Sequence, residues 1–259
     1  MRAKRPGRSN RQRRARIPTL AKGDNRTEIM MVMRRLTFSL PVALGVGLAV
    51  LPVAAPVFGP AAASAQTGAQ TGAQAGTQAP AAAVGPVSAL YAALQQIQAA
   101  TGSSFAQRAQ ILAPVVDKVY DLETVLRASV GLRYGGLSGD DRQKLLSVFR
   151  QFTVARYVSS FKPGGDARFN VNPAPRPSPV GSDQIVTTHI GSTDDPDGTE
   201  IDYVMRPGPQ GWHIVDVLLN AHISQVAAQR SDFSSTLASG NVQNLISLLE
   251  KKVKAFSEG

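Results

Sequence analysis

The spacing of apolar side chains changes twice along this sequence, and these changes limit the folds that it can adopt. From residue 87 to residue 157, apolar residues recur every three or four positions, which is typical of amphipathic helices. Between residues 168 and 219 they alternate with polar residues, which indicates half-buried strands. Helical spacing returns from residue 223 to residue 256. This order predicts the α+β class, with a curved antiparallel sheet of about four strands and helices packed on it.

Caps and breakers divide the first helical region into four helices. The first helix ends at Gly102, and Ser104 is a suitable N-cap for the second. Pro114 is expected to kink or break that second helix. A short third helix at residues 122–130 and a glycine-bearing loop precede Ser138, which caps a long helix with an unusually aromatic stripe.

The strand region has four apolar segments separated by turn residues. Strands are predicted at residues 168–171, 184–190, 200–206 and 212–219. Asp, Pro and Gly fill the connections at residues 194–198 and 207–211, and such short connections favour an antiparallel meander. Two final helices are predicted at residues 223–237 and 242–256.

The net charge of +10 is confined to the N-terminal quarter of the chain. Residues 1–65 contain 12 of the 28 basic residues and 2 of the 18 acidic ones, which leaves 16 of each sign in the remainder. A basic nucleic-acid-binding surface on the folded part is therefore not expected, and no nucleic-acid partner is predicted. The absence of Cys excludes disulfides, thiolate zinc sites and cysteine nucleophiles.

Residues 33–65 have the three parts of a secretory signal. Arg34 and Arg35 precede an apolar run at residues 36–51, and a small-x-small site ends at Ala65. We therefore expect export and cleavage near Ala65. An uncleaved membrane anchor is the alternative, although the apolar run is shorter than a membrane-spanning helix usually needs.

The segments on either side of this signal are not expected to fold. Because Met33 directly precedes the signal, residues 1–32 are interpreted as a basic extension upstream of the true start. A basic tail that binds acidic lipid or nucleic acid is the alternative. Residues 66–85 repeat Ala, Gly, Gln and Thr without charge and are predicted to form a flexible tether. Residues 86–259 are predicted to form a single domain.

Residue patterns typical of catalysis are almost absent. The three histidines have no metal-ligand spacing, so neither a metal site nor a cofactor is predicted. The chain has no nucleophile elbow, no P-loop and no glycine-rich dinucleotide loop. The one enzymatic alternative is a general acid–base pair formed by Asp216 and Tyr203 in a small enzyme that acts on an apolar substrate. The favoured reading is a non-enzymatic carrier with an apolar cavity.

Bulky apolar residues on elements that must face one another are the candidates for the wall of that cavity. They are Val119, Leu126, Phe149, Phe152, Tyr157, Tyr203, Met205 and Trp212. The sequence does not fix which face of the sheet lines the cavity, because strand register is not known at this point.

Three segments resemble the MlaC/toluene-tolerance family. The central one is Phe-Arg-Gln-Phe-Thr-Val-Ala-Arg-Tyr at residues 149–157, followed by Gly-Trp-His-Ile-Val-Asp-Val at residues 211–217 and Gln-Arg-Ser-Asp-Phe at residues 229–233. The resemblance extends over about residues 87–256 and is closest to the hopanoid-biosynthesis-associated HpnM branch. Asn-Ala-His at residues 220–222 departs from the glycine-containing turn usual in the family.

The resemblance implies a cone-shaped α+β fold of the NTF2/cystatin type and a periplasmic lipid shuttle. The expected ligand is a phospholipid or a hopanoid, with its acyl chains inside an apolar cavity and its headgroup outside. The expected partners are an inner-membrane ABC transporter with an MCE-type subunit, or an RND-type transporter, and a lipoprotein–porin complex of the outer membrane. Such a protein would help to maintain outer-membrane asymmetry.

Overall fold

The structure is a computed structural model that describes residues 79–259. The basic extension, the predicted signal and most of the predicted tether lie outside the described residues. The described part has six α-helices: α1 Val84–Ala99, α2 Phe105–Val119, α3 Leu122–Val130, α4 Gly139–Ser160, α5 Gln225–Thr236 and α6 Val242–Glu258. Short 3₁₀ segments lie at Pro80–Ala83, Gly131–Gly136 and Leu237–Ser239.

One antiparallel sheet follows the first four helices. Its strands are β1 Arg168–Val171, β2 Arg176–Pro177, β3 Gln184–Gly191, β4 Thr199–Gly208, β5 Gly211–Leu219 and β6 Ile223–Ser224. The strand order is β1-β3-β4-β5-β6, and β2 also pairs with β3. The α+β prediction and the four predicted strands are confirmed. The two-residue strands β2 and β6 are additional, because two residues are too few to show an alternating pattern.

The predicted N-caps are present, and one predicted break is not. Ser104 and Gln107 form a reciprocal capping box at the start of α2. The Ser138 hydroxyl accepts a hydrogen bond from the Asp141 amide at 3.1 Å at the start of α4. Contrary to expectation, α2 continues through Pro114 without a break. The neighbouring turns of α2 are held in the core by residues such as Leu112, which is fully buried.

Helical structure begins earlier than expected. The last residues of the predicted tether, from Pro80 onward, belong to the folded unit, and Ala83 is fully buried in its core. Proline is well tolerated in the first turn of a helix, and alanine has the highest helix propensity, so this short apolar run extends α1 towards the N-terminus. Helix α5 begins at Gln225, two residues later than predicted, because Ile223 and Ser224 pair with β5.

Strand register separates the sheet into an apolar face and a polar face. Because directly paired residues share a face and successive residues alternate, pairs such as Val186–Tyr203 and Met205–Ile214 identify the face that meets the helices. The opposite face carries Asp202. A β-bulge between Val204 and Met205 shifts the β4–β5 register by one residue, so Ile214 and Trp212 lie on the same face as Val217.

The β5–β6 turn has a strained backbone. Asn220 (φ 49°) and Ala221 (φ 63°) both lie in the left-handed region. They are the two central residues of a β-turn in which the His222 amide donates to the Leu219 carbonyl at 3.3 Å. Turns with positive φ at both central positions favour Asn-Gly, since glycine has no Cβ to clash. Ala221 therefore keeps the turn geometry that a glycine would adopt, at a cost in backbone strain.

Candidate functional site

The structure places the eight predicted wall residues in one hydrophobic core. Seven are buried and Tyr157 is half-buried. Tyr203, Met205 and Trp212 share the helix-facing side of the sheet, which the sequence alone could not assign. The C-terminal end of α2, next to Val119, is fastened to β5 by the amide of Asp121, which donates to the Ile214 carbonyl at 3.1 Å.

Four tyrosines meet between the sheet and the helices. The Tyr120 and Tyr157 hydroxyls are hydrogen-bonded to each other at 2.5 Å. The Tyr91 hydroxyl bonds the Thr188 hydroxyl at 2.6 Å, and the edge of its ring approaches Tyr203 with ring centres 5.8 Å apart. Helices α1 and α4 and strand β4 each contribute one tyrosine, and Tyr120, the C-cap residue of α2, is the fourth member of this group, which we call the tyrosine cluster.

The tyrosine cluster is polar without being charged. Burial raises the pKa of Tyr91, Tyr120, Tyr157 and Tyr203, because an ionised phenolate would lose its hydration in the core. The four phenols therefore stay protonated near neutral pH. They offer hydroxyl groups to one another, and to any polar part of a ligand, without placing an ion among apolar side chains.

A second aromatic group lies where α4 meets the two C-terminal helices. The centre of the Phe149 ring lies 6.4 Å from that of Phe233 of α5 and 6.2 Å from that of Phe152. The Phe152 ring also lies 6.0 Å from Phe256 of α6. Phe149 therefore lies between α4 and α5, and Phe152 lies at the contact between α4 and α6.

A narrow crevice reaches the edge of the tyrosine cluster. It lies between α3, α4, β5 and the start of α5 and has a volume of about 20 Å³, which is room for about one water molecule. Its lining includes Tyr120, Phe149, Arg156, Asp216 and Gln225. The Nε2 group of Gln225 is buried and has no hydrogen-bond acceptor. The crevice is thus narrow and lined by both apolar and polar side chains.

The proposed acid–base pair of Asp216 and Tyr203 is not formed. Tyr203 pairs with Val217 and Asp216 pairs with Val204, so the two side chains lie on opposite faces of the sheet. The Asp216 carboxylate accepts hydrogen bonds from the Val217 amide at 2.7 Å, the Val226 amide at 3.1 Å and the Ser224 hydroxyl at 2.5 Å. Its role here is to attach the start of α5 to the sheet.

A larger groove lies on the outer side of α3 and α5. Its volume is about 850 Å³, and four arginines line it: Arg127, Arg142, Arg206 and Arg230. Acyl chains bind poorly beside so many guanidinium groups, because each would lose hydration. The tyrosine cluster and the core around it are therefore the better candidate for an apolar ligand.

The sequence reasoning missed three members of this site. Tyr91 and Tyr120 lie in apolar stripes and carried no signal that distinguished them from ordinary core residues. Gln225 directly follows the N-cap of α5, and its burial depends on tertiary packing. Among residues 79–259, no helix is long and apolar enough to cross a membrane, and no cluster of His, Asp and Glu is placed to hold a metal ion.

Comparisons with known proteins agree on the kind of fold. A crystallised phospholipid-binding protein from Ralstonia solanacearum, in complex with a phospholipid, has a TM-score of 0.55 and 16% sequence identity, covering 68% of this chain and 98% of its own. At that identity the likeness shows a shared fold. No curated protein sequence matches. The MlaC protein family model matches residues 86–251, which is most of the folded region, and the chain therefore belongs to the MlaC family.

Proposed function

We propose that this protein is a periplasmic lipid carrier that encloses acyl chains between the sheet and the helices. The observation that carries the proposal is the separation of charge across the sheet. The buried carboxylates Asp183 and Asp202 bind Arg206 and Arg176. Asp202 and Arg206 lie on the polar face, whereas the helix-facing side carries apolar residues and the neutral tyrosine cluster.

The free energy of lipid transfer explains the need for such a carrier. Moving a sixteen-carbon chain from a membrane into water costs about 12 kcal/mol, at about 0.8 kcal/mol per methylene. A protein that contacts the chain along its length offsets most of this cost without bond chemistry or a cofactor. Binding, and not catalysis, is the task for which this interior is suited.

The ligand and partners of the proposed carrier follow from the family. A phospholipid is favoured over a hopanoid, because the structural neighbour from Ralstonia solanacearum was solved with a phospholipid. We further propose that the protein moves lipid between an inner-membrane ABC transporter with an MCE-type subunit, or an RND-type transporter, and an outer-membrane lipoprotein–porin complex. Membership of the hopanoid-associated branch would replace the phospholipid with a hopanoid.

Protein purified from a native periplasm tests the proposal. We expect mature protein that starts near Gln66 and carries lipid, identified by extraction and mass spectrometry, in a near-stoichiometric amount. The matched control is the same protein after delipidation and reloading from phosphatidylglycerol vesicles. A folded, monodisperse protein that contains no lipid and takes none from vesicles would refute lipid carriage. Recovery in the membrane fraction with residues 33–65 retained would refute export as a cleaved protein.

A further inference from the structure

We propose that the crevice between α3, α4 and α5 binds the phosphate of a phospholipid headgroup through Arg156 and Gln225. This inference rests on the proposed lipid carriage and adds to it that the protein selects its lipid by the headgroup. The crevice begins at Tyr120 of the tyrosine cluster, so it is a place where the interior approaches the surface. A lipid with its chains in the core would place its polar end there.

Gln225 supplies the first observation. Its side chain is only 5% exposed, and its Nε2 group has no hydrogen-bond acceptor. Buried amide donors without a partner are uncommon in folded proteins because the lost hydration is not replaced. The residues on either side of Gln225 are attached to Asp216, through the Ser224 hydroxyl and the Val226 amide, and Gln225 lines the crevice. An acceptor brought by a ligand would satisfy it.

Arg156 supplies the second observation. Arg156 lines the same crevice, and the carbon of its guanidinium lies 5.7 Å from the centre of the Phe152 ring. Among residues 79–259, no carboxylate forms an ion pair with it. Its positive charge counteracts part of the burial-driven rise in the pKa of Tyr120 and Tyr157, which places it close to both phenols.

The one acidic group in the crevice does not compete for these donors. Asp216 lines the crevice, but its oxygens accept hydrogen bonds from two backbone amides and the Ser224 hydroxyl, and neither Arg156 nor Gln225 is among its donors. The remaining polar side chains include a guanidinium and a free amide donor. Phosphate oxygens are strong acceptors, and arginine binds them in a planar, two-bonded geometry. A phosphodiester therefore fits the crevice better than a neutral headgroup does.

The small volume of the crevice adds a condition. A space of about 20 Å³ holds about one water molecule and no phosphate group. Loading must therefore move the start of α5 away from α4.

The experiment compares two lipids that differ only in the phosphate-containing headgroup. Delipidated protein is titrated with vesicles that contain phosphatidylglycerol or the diacylglycerol with the same acyl chains. The variants are Arg156→Gln and Gln225→Glu, which is isosteric and replaces the amide donor with a carboxylate. The matched control is Arg150→Gln, on the same helix, where the arginine pairs with Asp117 at the surface. Circular dichroism and thermal unfolding establish that each variant is folded.

We expect both crevice variants to weaken phosphatidylglycerol binding at least about tenfold, the loss of one charge-assisted hydrogen bond, and to leave diacylglycerol binding unchanged. Arg150→Gln should bind both lipids like the wild type. If the two crevice variants lost affinity equally for both lipids, or for neither lipid, the phosphate assignment would be overturned while lipid carriage would remain intact. Wild-type protein that binds neither lipid would refute the proposed function itself.

Inorganic phosphate alone distinguishes the two sources of this chemistry. Saturable binding of inorganic phosphate to the delipidated wild type, lost in Arg156→Gln, would assign the site to free phosphate and overturn its role as a headgroup site. The expected result is no saturable binding, because the site opens only when acyl chains enter the core.

Discussion

Replacing Phe149 with alanine should destabilise the empty protein much more than the loaded one. Phe149 is 1% exposed, its ring contacts Phe152 and Phe233, and its side chain lines the crevice. In the empty protein, Phe149→Ala leaves a cavity at this position. If the proposed carriage is correct, acyl chains in the loaded protein lie next to the same space and can fill it.

The expected difference in unfolding free energy follows from two contributions, the cost of the cavity and the gain when lipid methylenes fill it. A buried Phe→Ala change costs about 3–5 kcal/mol in the absence of a ligand. Three or four lipid methylenes that enter the vacated space would return about 2–3 kcal/mol. The loaded variant should therefore lose only about 1–2 kcal/mol relative to loaded wild type. By linkage, the variant should bind lipid roughly 30- to 100-fold more tightly than the wild type does.

Thermal unfolding of delipidated and phosphatidylglycerol-loaded samples measures this difference. For a domain of this size, 1 kcal/mol corresponds to roughly 2–4 °C in Tm. The matched control is Leu249→Ala on α6, a helix that packs mainly against α4. This variant should lower the Tm by the same amount in the delipidated and the loaded samples. Equal Tm losses for Phe149→Ala with and without lipid would show that acyl chains do not reach Phe149.

Three further outcomes are expected. Burial raises the pKa of the buried tyrosines, so from about pH 10 upward only the unfolded chain releases these protons, and their contribution to the free energy of unfolding should be fully present below pH 10 and fall above it. Unfolding at a series of pH values, with phenolate absorbance at 295 nm, measures this contribution, and normal phenol titration in the folded protein would contradict it. Ala221→Gly should stabilise the protein by about 1 kcal/mol in denaturant unfolding, because it relieves a left-handed backbone, and a destabilised variant would disprove that strain. Hydrogen exchange should be faster without lipid in residues 138–157 or 242–256, whose preceding glycine loops allow rotation, and equal rates would indicate a rigid cavity.

Local patterns were sufficient to predict most of the elements. The periods of 3.6 and 2 reflect which side chains face the core, so they were visible at α1, α4, β3, β4 and β5 without tertiary information. Ser104 and Ser138 gave two helix starts, because capping depends only on residues three positions away. The break that was one of the two outcomes expected at Pro114 is absent, since helix propensity competes with packing that the sequence does not show.

The site was less accessible to sequence reasoning. The three predicted wall residues of the sheet share one face because of register, and the bulge after Val204 shifts that register within β5. The tyrosine cluster joins residues up to 112 positions apart, between Tyr91 and Tyr203, so no local spacing could show it. The free amide of Gln225 is visible only after every neighbouring acceptor has been placed.

The tyrosine cluster gives the empty carrier a way to close. A purely apolar cavity without lipid would either stay empty, at about 24 cal/mol per Å³, or collapse around mismatched side chains. The Tyr120 and Tyr157 phenols bond each other, and the Tyr91 phenol bonds Thr188, so these hydroxyls satisfy their polar atoms within the protein. Such hydroxyls can exchange these partners for the ester and glycerol oxygens of a lipid without burying a charge. Closed and loaded states can then lie within a few kcal/mol of each other, which a protein that both accepts and releases its lipid requires.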